Sequence, residues 1–275
     1  MLFLERIPDA PLNRYVKVLW YSQMPVSEHR YERILPTGCT EIILSLGRDY
    51  ICDCHEGLPD LRVDPALVVG GRSNYEIIDA SDLASLIGIS FKPGGFAAFA
   101  GDAVDRFSNL GIPLDAAWGA ASLTLRSRLR ETDDIRTRFR IIEAFLLERL
   151  AACANPQYAA RQRLVGFALS SFDSAPALST VREVARSSGF SERRFSQIFR
   201  EEVGHSPKVW CRIQRFQRAV RMLHAGGDVP WAELALDCGF YDQSHFANEF
   251  RAFSGVDATT YSANRTRWAN HIAAG

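Results

Sequence analysis

The period of apolar and polar positions changes along this chain. The first third holds short runs rich in β-branched and aromatic residues, cut by Gly, Pro and Asp: RYVKVLWYSQ, CTEIILSLG, DYICDC, ALVVGG, YEIIDA and SLIGISFKPGG. Runs of this length and make-up predict strands. In LIGISF the larger Ile87, Ile89 and Phe91 alternate with smaller residues, the period of a half-buried strand. So many short strands so close together predict a sandwich or a small barrel. The Gly pair of FKPGG predicts a tight turn from strand to helix.

From about Asp115 the pattern becomes helical. In DDIRTRFRIIEAFLLERLAAC, the residues Ile135, Phe139, Ile142, Leu146 and Leu150 form one stripe, with Asp133 and Asp134 suited to the start of the helix dipole. The near-heptad spacing fits either a dimer contact or packing on the chain's own β-domain. A break is predicted at Asn155-Pro156, and everything after it reads as helix. The predicted class is α+β: a β-rich domain with trailing helices over residues 1–155, then an all-α domain over 160–270.

The helical half repeats itself. VREVARSSGFSERRFSQIFREEVG (181–204) and WAELALDCGFYDQSHFANEFRAFSG (231–255) align with Ala185 and Gly189 on Ala235 and Gly239, an offset of 50. Phe195, Phe199, Arg200 and Gly204 then fall on Phe246, Phe250, Arg251 and Gly255, an offset of 51. One residue is inserted just after the shared Gly-Phe, and shared composition alone does not hold a register across an insertion. Each copy predicts a helix-turn-helix, over about 178–202 and about 229–254. The glycines end the first helix in the left-handed conformation, Ser191 and Asp242 cap the second, and phenylalanines four apart bury one stripe of it.

The opposite face of each second helix must then be exposed. It carries Arg193, Arg194, Ser196, Gln197 and Arg200 in the first copy, and Gln243, Ser244, Ala247 and Asn248 in the second. Arg suits guanine, Gln and Asn suit adenine, and a small Ala suits the thymine methyl. The connector, SPKVWCRIQRFQRAVRML (about 206–224), starts with a proline and has a basic side including Lys208, Arg212 and Arg215. Sixteen helical residues make a rod of roughly 24 Å. With the domain widths added, that sets two reading helices roughly 34 Å apart, one turn of DNA.

Charge agrees with this division. Residues 1–160 hold 17 Lys and Arg against 21 Asp and Glu, and residues 161–275 hold 15 against 11. The net charge of zero therefore hides a basic second half, as an anionic partner would require. With 47% hydrophobic and 23% charged residues, the chain has the make-up of a soluble globular protein. Its first residues meet acid and proline too early for a signal peptide, and six scattered cysteines suit a reducing compartment, so a cytoplasmic location is expected.

These residues resemble the DNA-binding domain of the AraC/XylS family of bacterial transcription regulators. The motifs that carry the resemblance are Gly204-His205-Ser206-Pro207-Lys208-Val209-Trp210 and the run Gly239 to Phe250 with Asp242, Ser244 and Phe246. Asp257 and Ala258 depart from the family's Ser/Thr-Pro, which implies a less sharp start to the last helix; Tyr261 is retained. By position, the resemblance implies base reading by Arg193, Ser196, Gln197, Gln243, Ser244, Ala247 and Asn248. Arg194, Arg200, Lys208, Arg212, Arg215 and Arg251 are assigned to the DNA backbone. Double-stranded DNA is the implied partner, with a small-molecule effector, RNA polymerase and a second copy of the chain as further candidates and no membrane. The N-terminal phrases LPTGCTEIILSLG and GISFKPGGFAAFAG more loosely resemble a sensor-like domain of such regulators, which implies a cupin-like barrel or sandwich.

Within that half, Trp20, Tyr21, Tyr31, Phe91 and Trp118 are candidates to line an effector pocket, although aromatics on strands more often form core. Cys39, Cys52, Cys54 and His55 are the candidates for a metal- or thiol-based redox sensor, but their spacing is not that of a structural zinc site. A cupin-like enzyme fused to the DNA-binding domain is the other alternative. His29 and His55 are far apart, and neither a nucleophile elbow nor a zincin motif occurs. No catalysis, cofactor or metal is expected.

Overall fold

The computed structural model describes residues 2–23, 30–54, 61–79, 85–154, 156–174, 180–226 and 230–274. The strands are β1 (Leu2–Arg6), β2 (Val16–Gln23), β3 (Tyr31–Ile34), β4 (Glu41–Ser45), β5 (Ile51–Cys54), β6 (Leu61–Val63), β7 (Ala66–Val69), β8 (Glu76–Asp79), β9 (Leu86–Phe91), β10 (Gly111–Pro113) and β11 (His271–Ala274). They form two antiparallel sheets, ordered β1-β2-β9-β4-β7-β10 and β11-β3-β8-β5-β6. Each of the six runs singled out by pattern contains a strand: β2, β4, β5, β7, β8 and β9. Among the described residues neither sheet closes on itself into a barrel.

Every residue of β9 is buried, which means that both faces of the first sheet are covered. Ile89 lies opposite Leu19 of β2 and Ile42 of β4, all three sealed. Against this sheet pack α1 (Ala97–Ala100), α2 (Leu114–Trp118), α3 (Ala121–Arg130) and α4 (Ile135–Ala152). The apolar stripe of α4 is part of this core, with Phe139, Ile142 and Leu146 buried, so it packs on its own β-domain rather than waiting for a second copy. Asp134 caps α4 by accepting from the Thr137 amide at 3.0 Å. The FKPGG turn runs from β9 into α1 as expected, and a Cβ on Gly95 would stand 2.1 Å from the Tyr15 carbonyl oxygen.

The helical half comprises α5 (Pro156–Ser174), α6 (Val181–Ser187), α7 (Glu192–Val203), α8 (Pro207–Ala225), α9 (Trp231–Asp237), α10 (Gln243–Ser254) and α11 (Ala258–Ala263). It has two cores. One joins α5, α6, α7 and the start of α8 through Val165, Phe172, Phe195, Phe199 and Trp210. The other joins the rest of α8 to α9, α10 and α11 through Phe216, Phe246, Phe250, Phe253 and Tyr261. Connector α8 is longer than its sequence estimate, with 19 residues, or about 28 Å.

The chain then returns to where it began. Strand β11 adds to the edge of the N-terminal second sheet, with His271 opposite Ile34 and Ala274 opposite Tyr31. Asn270 receives the Leu35 amide on its carbonyl and the Gln217 amide on its side chain, both at 2.9 Å. His271 lies 2.8 Å from the buried Glu32 carboxylate, and Leu35 and Ile272 enter the core of the second helical unit. The two halves are thus tied by shared core as well as by the connecting helix α5.

Candidate nucleic-acid interface

Each copy of the repeat folds as its local chemistry dictates. Helices α6 and α9 are followed by Gly189 and Gly239 at φ of 79° and 85°, where a Cβ would be strained. Ser191 and Asp242 then cap α7 and α10 by accepting the amides of Arg194 and His245. Phe195, Phe199, Phe246 and Phe250 are buried, and Phe250 packs on Phe216 of α8 with ring centroids 5.2 Å apart. Ser206 caps α8 with Pro207 in its first turn. The sequence departure at Asp257 does not blunt the last helix, because Asp257 is itself a cap and receives the Thr260 amide at 2.8 Å.

The faces assigned to base reading lie outward. Arg193, Gln197, Gln243, Ser244, Ala247 and Asn248 are exposed, and Ser196 is half-buried. On α7 the Arg194 guanidinium donates to the Gln197 side chain at 3.1 Å, which in turn donates to Glu201 at 2.8 Å. Lys208 is exposed and forms no ion pair among the described residues.

Several cations assigned to phosphate have protein partners that sequence spacing does not reveal. Arg200, near the end of α7, meets Asp105 of the N-terminal domain at 2.9 Å. Beside it the Ser108 hydroxyl donates to the Gly204 carbonyl. Arg212 grips Glu249 of α10 with two bonds at 2.8 and 2.7 Å, and this holds the Glu249 carboxyl below its ordinary range. Arg251 stands 3.7 Å from Asp257. Arg215 is half-buried in a groove on the side of α8 that faces α5, 5.9 Å from the Phe240 ring, and not on an open surface.

The aromatic candidates for an effector pocket do not converge. Tyr21, Phe91 and Trp118 are sealed in the N-terminal core, where Trp118 stacks on Phe96 at 6.0 Å. Trp20 lies over Gly88, and Tyr31 is on the second sheet beneath the Arg30 guanidinium. Tight packing leaves the three buried rings no surface to offer a ligand. Of the metal and thiol candidates, His55 and the Cys54 side chain lie outside the described residues, which contain no cluster of metal donors. Burial pushes the Cys39 thiol up to about 12, away from the reactive thiolate.

Comparison with known families assigns residues 4–113 to a domain of unknown function, DUF6597, and residues 184–264 to a helix-turn-helix domain. A search of curated proteins gives no match. Among solved structures the chain is similar to a transcriptional regulator with an AraC-type DNA-binding domain from Chromobacterium violaceum, at 22% identity and a TM-score of 0.36 over 40% of this chain and 97% of that one. It is also similar to the DNA-binding domain of AdpA, solved with a target DNA, at 27% identity and a TM-score of 0.34 over 36% and 89%. ToxT from Vibrio cholerae O395 aligns over 90% and 92% at 9% identity and a TM-score of 0.41. Residues 184–264 thus match a helix-turn-helix domain, and they follow a β-rich domain that matches a family of unknown function.

Proposed function

We propose that this chain is a sequence-specific transcription regulator in which α7 and α10 enter successive major grooves and the N-terminal domain controls how well they do so in response to a small molecule. The observation that carries the reading is the repeat: two helix-turn-helix units on one connector, each with phenylalanines inward and base-reading side chains outward. Arg193, Ser196 and Gln197 read one block of sequence; Gln243, Ser244, Ala247 and Asn248 read the other. Lys208 and the exposed arginines supply phosphate contacts, whose contribution weakens as salt rises.

Control follows from the seam between the halves. The N-terminal domain holds the end of α7 through Asp105 and Ser108, so the first unit cannot turn relative to that domain without breaking these contacts. An effector alters DNA binding to the extent that it binds the held and released arrangements unequally.

In vitro selection of DNA by the full-length protein tests this at near-physiological salt. The expected product is a motif of two short blocks about one helical turn apart. A single block, or enrichment without any preferred sequence, would overturn the two-unit reading.

A further inference from the structure

The two helix-turn-helix units are tied to connector α8 very unequally. The second rests on it through Ile213, Phe216, Ala219 and Val220, all sealed. To the core of the first, α8 supplies Trp210, with Cys211 at its edge. One ring and the short turn out of α7 fix a place on α8 but leave the angle between the two helices soft. The loop between β3 and β4, LPTGC (35–39), closes that gap. Gly38 sits on Trp210 at φ of 73°, so near that a Cβ there would stand 3.0 Å from the ring and 3.4 Å from Ile213. Cys39 packs against the core of the first unit, and Leu35, at the other end of the loop, is sealed in the core of the second. Polar bonds fix the loop to the helix. Buried Gln217 donates from its side-chain amide to the Pro36 carbonyl and to the Asn270 side chain, each at 2.9 Å. Asn270 in turn accepts the Leu35 amide on its carbonyl at 2.9 Å. Gln214, one turn earlier, donates to the Thr37 carbonyl at 3.4 Å. A buried amide matched on both sides specifies one arrangement, because any slip of loop against helix leaves polar groups unpaired.

We infer that the loop Leu35–Cys39 is a spacing gauge: it fixes the angle of α7 relative to α10, and so how many base pairs may separate the two blocks that the chain reads. Gly38, Trp210 and Gln217 are positioning residues for DNA recognition, acting through the placement of α7 and not by touching bases. The inference rests on the two-unit reading and identifies which part of the chain sets its geometry. Each added base pair moves the next block by about 3.4 Å and turns it by about 35° around the DNA axis. A reading helix displaced that far loses its contacts to base edges. With the loop seated, the chain therefore accepts one spacing sharply. With the loop unseated, α7 can follow a block that lies one base pair out, and the cost is that of ordering the first unit on the DNA.

The test is anisotropy titration of the full-length protein with duplexes that carry its two selected blocks at the recovered spacing, and with one base pair added or removed between them. The wild type is expected to lose at least about tenfold in affinity at either altered spacing. Gln217→Met keeps the length of the side chain and removes both donated bonds. It should weaken binding at the recovered spacing only a few-fold and shrink the one-base-pair penalty to about threefold or less. Gly38→Ala, whose Cβ would press on Trp210 from a φ that disfavours it, should flatten the profile in the same way. A role in stability alone would lower the melting temperature and weaken binding to every duplex alike. An unchanged spacing profile in folded Gln217→Met would therefore overturn the inference, as would a wild type that binds all three spacings equally. If melting shows that Gln217→Met does not fold, Gly38→Ala decides on the same terms. A sharp optimum that the variant leaves intact defeats only the gauge, whereas absent specific binding, or binding that needs one block alone, defeats the two-unit reading itself.

Discussion

The two helix-turn-helix units share a sequence pattern but not a setting. Arg200 and Arg251 occupy the same place in the repeat, yet Arg200 pairs with Asp105 of the N-terminal domain and Arg251 faces Asp257 within its own unit. The first unit is also held through Glu202, which receives Arg161 at 3.1 Å and Gln162 at 3.3 Å from α5. The second unit borrows Leu35 and Ile272 for its core, and Gly255, at the end of α10, lies under Tyr75. The repeat thus encodes how each unit folds, while residues outside the repeat decide how each is attached. The first unit is the one whose second helix is tied to the N-terminal domain by an ion pair and a hydrogen bond.

The largest expected effect tests the part the two units share. Phe199 and Phe250 are 1% and 0% exposed, and truncation of either to Ala should cost about 3–5 kcal/mol by loss of burial and cavity formation. Thermal unfolding followed by circular dichroism checks this. Losses of similar size would show that the units differ in attachment and not in core strength. A loss below about 1 kcal/mol at one of them would place the asymmetry inside the repeat itself.

The reading faces come next. Gln197→Ala and Asn248→Ala should each cost about 1–3 kcal/mol of specific DNA affinity and relax preference at one base pair. Selection with each variant should alter a different block of the motif. If both variants relaxed the same block, the two helices would not be reading successive grooves.

Much of this was legible in sequence because it is local. Ser191 and Asp242 cap helices that begin one residue later, Gly189 and Gly239 turn the chain between neighbours, and phenylalanines four apart share a face. What escaped is long-range. Strand β3 reads YERI and its buried Glu32 looks misplaced until His271, 239 residues away, lies beside it. Strand β11 has only four residues, too few for a period, and exists by pairing with β3. The same holds for charge. The spacing of Arg200, Arg212 and Arg215 shows that they leave the apolar stripe, but not that Asp105, Glu249 and the groove receive them. For Tyr21 and Phe91, a strand pattern shows burial without telling core from cavity wall.

A smaller effect concerns how firmly the first unit is seated. His205 follows α7 and is buried against Gly71 of the N-terminal domain; burial holds its pKa below the ordinary 6.5, and the Gly71 backbone opposes this more weakly. The unfolded chain therefore takes up a proton near pH 6.5 that the folded chain refuses, so stability falls as pH drops through that window. Burial pushes the Glu202 carboxyl up from 4.5, which acts in the opposite sense, its contribution being lost as pH rises. The readout is accordingly a difference: between about pH 7.5 and about pH 5.5 the wild type should lose more melting temperature than His205→Gln. Equal losses would mean that His205 does not titrate in this window.

The smallest expected effect on stability bears most directly on the comparison. Arg200 is 56% exposed, so its pair with Asp105 contributes only about 0.2–1 kcal/mol, and Asp105→Ala should leave melting nearly unchanged. DNA binding should nevertheless tighten a few-fold, because Arg200 becomes available to phosphate and an acid leaves its side, with the salt dependence steepening by about one ion. The matched change in the second unit is Asp257→Ser, which frees Arg251 while keeping a residue able to cap α11. Since Arg251 is already 70% exposed at 3.7 Å from its acid, little gain is expected there. Anisotropy titrations of both variants against salt decide the matter. A gain at Asp105 without one at Asp257 means that the N-terminal domain competes with DNA for the first unit. Equal responses would mean that the two units are held alike and that control must enter elsewhere.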